Sequence, residues 1–130
     1  MQNENAIKMQ WQKNPELDLQ DALRIAIHMH QTGNCEDAEV LYRRILDVAP
    51  GCSDAIHFLG VLLHQRGESS AAIDLIEKSI SLDTAQPGRY NNLGNVLLEL
   101  ERFAEAANAF RQAIHRQPGQ PMLITIWVQF

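Results

Sequence analysis

The chain has 130 residues, 45% of them hydrophobic and 21% charged, enough for one domain around a single continuous core. A net charge of −5 leaves no basic face to neutralise phosphates, and 6% aromatic residues leave little for base stacking, so no nucleic-acid partner is expected. No apolar run approaches the ~18–20 residues needed to cross a bilayer, so no membrane partner is expected either.

In chain order, residues 1–14 read as an N-terminal extension, polar (QNEN, then KMQWQKN) and without the apolar stretch of a signal peptide. Ala6, Ile7, Met9 and Trp11 could dock on the first helices of the chain. The two cysteines, Cys35 and Cys52, form no CxxC pair and have no histidines at metal-site spacing. These features point to a cytoplasmic protein with reduced thiols.

From residue 15 onward the apolar pattern is helical. Ile25, Ala26 and Met29 share one face of a 3.6-residue period, as do Ala38, Tyr42, Ile45, Leu46 and Ala49. Gly33-Asn34 and Gly67-Glu68 are turns, and Pro50-Gly51 and Pro118-Gly119 end helices, because proline lacks an N–H and clashes with the preceding turn. Asn34 and Ser53 are the expected N-caps, and Pro87 suits a first helical turn. The spacing predicts helices over 15–31, 35–49, 53–66, 69–82, 87–100 and 103–116.

The pattern also repeats. Shifted by 34 residues, Ile25 falls on Leu59 and Leu93, and Ala26 on Gly60 and Gly94. Met29 meets Leu63 and Leu97; Ala38 meets Ala72 and Ala106; Tyr42 meets Ile76 and Phe110; Leu46 meets Ile80 and Ile114. Pro50 meets Pro118, with Thr84 as the exception between them. Large residues fall on large and small on small, and the small positions let two antiparallel helices approach closely. Such units cannot bury both faces alone, so about three must stack.

A 34-residue helix–turn–helix unit with these positions resembles the tetratricopeptide repeat. The fullest copy runs from Pro87 to Gln120 and carries Tyr90, Leu93, Gly94, Leu97, Ala106, Phe110, Ala113 and Pro118. The middle copy departs at Ser79 and Thr84, and the first at Ala22 and Ala26. The resemblance implies an all-α fold, a right-handed α-solenoid of three units over about 19–52, 53–86 and 87–120, within a repeat domain spanning 15–120. Residues 36–83 are also similar to the N-terminal repeat arrays of bacterial O-linked N-acetylglucosamine transferase-like proteins, although 130 residues leave no room for the catalytic domain.

In this family the first helix of each unit lines a concave surface. The positions left for that groove are Gln20, Leu23, Arg24, Ile27, His30 and Gln31, then His57, Phe58, Val61, His64 and Gln65, then Asn91, Asn92, Asn95, Leu98 and Glu99. Candidate binding residues are Arg24, Ile27, His30, His57, Phe58, Val61, His64, Asn91, Asn92 and Asn95. Exposed Ile27, Phe58 and Val61 beside amides and imidazoles would suit an extended or helical peptide. Of the positions some relatives use to grip a C-terminal carboxylate (Leu23, Ile27, Phe58, Gly88 and Asn92), only Asn92 fits, so no such clamp is expected.

Catalysis is not expected. His57 and His64 share a face about 10 Å apart along the helix axis, too far for one ion. His30 and His64 occupy one position in consecutive copies and could face each other, but no Cys or carboxylate pattern completes a zinc site. No phosphate loop or nucleophile–histidine arrangement is legible, so neither metal nor cofactor is expected.

Residues 121–130 (PMLITIWVQF) should begin a fourth copy, yet they lack the Leu-Gly pair. Three readings stand: the tail caps the 103–116 helix, it exchanges into a second copy to give a homodimer, or the chain is a fragment. The reading of the whole is a protein-interaction module that receives a peptide or helix of a partner in its groove. The alternatives are a self-associating scaffold and a detached recognition module of a glycosyltransferase system.

Overall fold

In the computed structural model the described residues are 15–116, with side chains described from Leu19 onward. They form six helices: α1 (Pro15–Gln31), α2 (Cys35–Val48), α3 (Ser53–Gln65), α4 (Ser69–Leu82), α5 (Pro87–Glu99) and α6 (Phe103–Arg116). Every predicted helix is present, with its ends within one residue of the expected ones. The readings placed on residues 1–14, Pro118 and 121–130 lie outside the described residues.

Each pair closes through the same turn. At the end of α1 the Gly33 N–H donates to the His30 carbonyl (3.3 Å) and the Asn34 N–H to Met29 (2.8 Å). Gly67 and Glu68 repeat this on His64 and Leu63, and Glu101 and Arg102 on Leu98 and Leu97. This pair of hydrogen bonds across the helix end requires a left-handed residue at its centre. Gly33 (φ 91°), Gly67 (φ 87°) and Glu101 (φ 60°) supply it. Glycine does so without steric cost, whereas Glu101 adopts a conformation that crowds its Cβ.

Helix starts follow the sequence less closely. Pro87 opens α5 as expected. Asn34 stands at the N-cap of α2 without a side-chain capping bond, and Cys52 rather than Ser53 caps α3. Where Thr84 replaces the unit-ending proline, Asp83 organises the turn instead. Its carboxylate accepts from the Ala85 N–H (3.1 Å) and the Gln86 side chain (3.3 Å). The Ala85 bond leads in holding the Asp83 pKa below its ordinary value.

Successive units stack through one core, in which Tyr42, Ile45, Leu59, Leu62, Ile76 and Val96 are fully enclosed. Gly60 and Gly94 set the closest approach within their pairs. A Cβ on Gly60 would lie 2.9 Å from Ile76 Cγ1 and 3.2 Å from Leu75 Cβ, and one on Gly94 2.5 Å from the Phe110 ring. Ser79 is the polar exception in this core. Its hydroxyl donates to the Ile76 carbonyl (2.7 Å), so its burial leaves no donor unsatisfied.

The curvature reflects which helices meet. α1 approaches α3, and α3 approaches α5, while α2, α4 and α6 make no such approach to one another. First helices crowd together on the inner side and second helices splay outside. The result is an all-α solenoid of three helix–turn–helix units whose inner wall is built from α1, α3 and α5.

Candidate functional site

The inner wall is joined by polar pairs of constant spacing. His30 bonds Gln65, Asp54 bonds Arg89, and His57 bonds Asn92, each partner 35 residues further on. His64 meets Glu99 in the same way. One residue more than the repeat length places each partner on the facing side of the next first helix.

Two of these pairs extend into chains of three side chains. Tyr42 donates its hydroxyl to His30 Nδ1 (3.2 Å), and His30 Nε2–H donates to Gln65 Oε1 (2.6 Å). One unit later, His64 Nδ1 meets the Ser69 hydroxyl (3.2 Å) and its Nε2–H donates to Glu99 Oε2 (3.0 Å). Burial pushes the Tyr42 hydroxyl up, which keeps it a neutral donor. Burial also pulls His30 below its ordinary pKa, partly opposed by its bond to Gln65. His30 and His64 therefore do not face each other; each reaches past its own unit to the next.

The α3–α5 seam is the most enclosed. Asn92 Nδ2 donates to His57 Nε2 (3.1 Å), which leaves the ring proton on Nδ1. Desolvation, helped by the nearby Arg89 charge, lowers the His57 pKa to about 3, so the ring is neutral. Arg89 is buried; it donates to the Ser79 carbonyl (3.2 Å) and to Asp54. Phe58 stacks on Tyr42 with ring centroids 6.4 Å apart and meets His57 edge-on at 5.3 Å.

These placements correct the expected groove at several positions. Val61 is 2% exposed and belongs to the core, and Phe58 and Ile27 are half-buried, so they form no exposed apolar strip. His30, His57, His64, Asn91 and Asn92 are buried between helices rather than presented to solvent. Neighbouring first helices pack side by side, and the face assigned to the groove is largely their seam. Arg24 is exposed and paired with Asp21, and Asn95 is half-buried. The sequence reading missed Asp54 and Arg89, which the 35-residue spacing of complementary charges could have signalled.

Between α3 and α5 the wall holds a cleft of about 190 Å³, lined by Asp54, His57, Phe58, Gln86, Gly88, Arg89 and Asn92. Asn92 contributes a buried acceptor there. Asn92 is 2% exposed, its amide nitrogen is held by His57, and its Oδ1 has no partner among the described residues. A buried acceptor of this kind favours a ligand that brings an N–H. A larger, open depression of about 820 Å³ lies away from this wall, over the α1–α2 turn and Arg66. Among the described residues no group of three or more His, Cys, Asp or Glu could hold a metal ion, and no helix is long and apolar enough to cross a membrane.

The chain resembles several known proteins. It is 33% identical to the cell division cycle protein 16 homolog of Mus musculus, over 71% of this chain and 16% of that protein. In structure it is similar to an O-GlcNAc transferase of Thermobaculum terrenum (TM-score 0.75, 24% identity), covering 92% of this chain and 21% of that one. It is likewise similar to the Yersinia enterocolitica type III secretion chaperone SycD, solved with a peptide of the translocator YopD (TM-score 0.73, 21% identity, 79% of each chain). The transferase array is thus one of several relatives in fold, and the likeness is not specific to it. Family models described as tetratricopeptide repeat match residues 20–89 and 87–120. With three stacked 34-residue units behind that match, the chain belongs to the tetratricopeptide repeat family.

Proposed function

We propose that this protein is a non-catalytic binding module that holds a peptide segment of a partner protein along the inner wall of α1, α3 and α5. The observation that carries the reading is the α3–α5 cleft with its buried, unpartnered Asn92 Oδ1. A backbone or side-chain N–H of the peptide would satisfy that oxygen, and an apolar side chain would lie against the open part of Phe58. Most other polar groups of the wall are already engaged in the inter-unit pairs, so recognition concentrates at this seam. A solved relative in fold, the SycD chaperone, was crystallised with a peptide, which is consistent with this use of the architecture. A cytoplasmic setting belongs to the same reading, and the free thiols of Cys35 and Cys52 agree with it.

The test is selection of peptides from a random display library on the full chain, followed by calorimetry on Asn92→Ala and Phe58→Ala. Both variants should weaken binding at least about tenfold, the equivalent of ~1.4 kcal/mol. Leu82→Ser, on the outer face of a second helix, should leave it unchanged. Binders indifferent to both cleft variants, or equally lost with Leu82→Ser, would remove this wall as the site.

A further inference from the structure

Phe58, on α3, and Asn92, on α5, line the same cleft and make different demands on whatever enters it. The half-buried Phe58 ring lies on Tyr42 with centroids 6.4 Å apart and meets the His57 ring edge-on at 5.3 Å. One wall of the cleft is therefore a braced aromatic face. Asn92 Oδ1 is buried without a hydrogen-bond partner among the described residues, an acceptor that costs free energy until a donor reaches it.

The side-chain donors around that oxygen are engaged within the protein. Arg89 donates to the Ser79 carbonyl and to Asp54, the Asn92 amide nitrogen to His57, and the Gln86 amide to Asp83. An entering carboxylate would meet the Asp54 carboxylate and the Asn92 oxygen, both of them acceptors. An entering cation would meet the Arg89 charge, which together with desolvation keeps the His57 ring neutral down to about pH 3. The cleft therefore selects a neutral donor. Hydroxyl and amide side chains, and the peptide backbone itself, donate but also bring an oxygen that needs a donor in return. The indole of tryptophan donates through its nitrogen and carries no acceptor. Its rings also suit Phe58, since aromatic pairs gain from offset or edge-on contact. Space permits it. Cavities of about 150 Å³ accommodate benzene. This cleft has about 190 Å³ and is open at Gly88, where an added Cβ would meet nothing within 4 Å.

Resting on the reading that a partner peptide occupies this wall, we infer that the α3–α5 cleft is a tryptophan pocket. The indole lies against Phe58, and its N–H donates to Asn92 Oδ1.

The probe is an acetylated and amidated pentapeptide with tryptophan at its centre and glycine elsewhere, titrated into the isotope-labelled full chain by NMR. It should shift the side-chain amide of Asn92 and the ring of Phe58. Benzothienylalanine keeps the shape of tryptophan but carries sulfur in place of the N–H, and should bind about tenfold more weakly, as should glutamine, lysine or glutamate at that place. Asn92→Leu should bind the tryptophan and benzothienylalanine peptides equally. Gly88→Leu, which the open space admits and a helix favours over glycine, should fold and block the mouth. Equal affinity of those two peptides for the native chain would overturn the inference, and so would tighter binding of the glutamine or lysine peptide. Display-selected peptides that need Asn92 and Phe58 yet carry no tryptophan would overturn the tryptophan pocket and leave the wall as the binding site. Selected peptides and probes that all leave the cleft signals unmoved would remove the wall itself, and the pocket with it.

Discussion

The imidazole of His57 accepts a hydrogen bond from the amide of Asn92, 35 residues away on the next first helix, at 3.1 Å. The bond needs a neutral ring, and burial beside Arg89 provides it by lowering the pKa to about 3. The folded value lies below the unfolded value of 6.5, so below that pH the unfolded chain binds the additional proton. Stability from this source is fully present above about pH 6.5 and is lost as pH falls, by up to about 1.4 kcal/mol per unit until the folded ring itself protonates. His30, also lowered by burial, acts in the same direction. Urea unfolding between about pH 7.5 and 5.5, above most carboxylate titration, should show this loss, and His57→Gln should flatten it. An unchanged pH slope in His57→Gln would exclude His57 as the source.

Asp54 looks like a surface residue, with its side chain 53% exposed, but it neutralises Arg89, which is 5% exposed. Removing Asp54 leaves a buried guanidinium whose charge is no longer neutralised, although the Ser79 carbonyl still accepts from it. Asp54→Ala is expected to cost about 2 kcal/mol, below the 3–5 of a fully buried pair because one partner is partly hydrated. Arg89→Met in that background should recover most of the loss. A double-mutant cycle by denaturant titration measures the coupling, and additive effects would mean the pair is only a surface contact.

Glu101 carries a left-handed backbone at the turn where the two earlier units have Gly33 and Gly67. Glu101→Gly should raise stability by about 0.5–1 kcal/mol, the relief of Cβ crowding reduced by the greater freedom of glycine in the unfolded chain. Gly67→Ala should lower it by a similar amount. Thermal midpoints moving in opposite directions for the two variants check the assignment.

Gly60 and Gly94 share a position but not a neighbourhood. An added methyl at Gly60 meets the Leu75 Cβ and the Ala72 backbone carbonyl as well as Ile76, whereas at Gly94 it meets the outer atoms of the half-buried Phe110 ring. Gly60→Ala should therefore cost about 1–2 kcal/mol of overpacking, net of the helix gain from alanine. Gly94→Ala should cost less, because the ring can swing toward solvent. Equal losses in urea unfolding would argue that Phe110 is held as firmly as Ile76.

Helices, turns and repeat spacing were legible because they are local. A 3.6-residue period, Gly33, Gly67 and Pro87 act within one or two turns of chain, and three copies in register reinforce one another. The third left-handed turn, at Glu101, carried no glycine to announce it and is visible only through the 34-residue register. The inner wall was less legible. His30, His57 and Asn92 were placed on the correct helices, but their burial was not apparent, since a helix has no sequence mark for a neighbour 35 residues away.

The amino-acid sequence alone determined that this protein is three stacked helix pairs, because close packing of small against large residues at a 34-residue repeat admits few other arrangements. Only the tertiary structure decided which polar groups are engaged between units and which face outward. That outcome depends on how nearly the first helices approach one another. The approach buries Val61, pairs Asp54 with Arg89 and His57 with Asn92, and leaves Asn92 Oδ1 as a buried acceptor without a partner among the described residues.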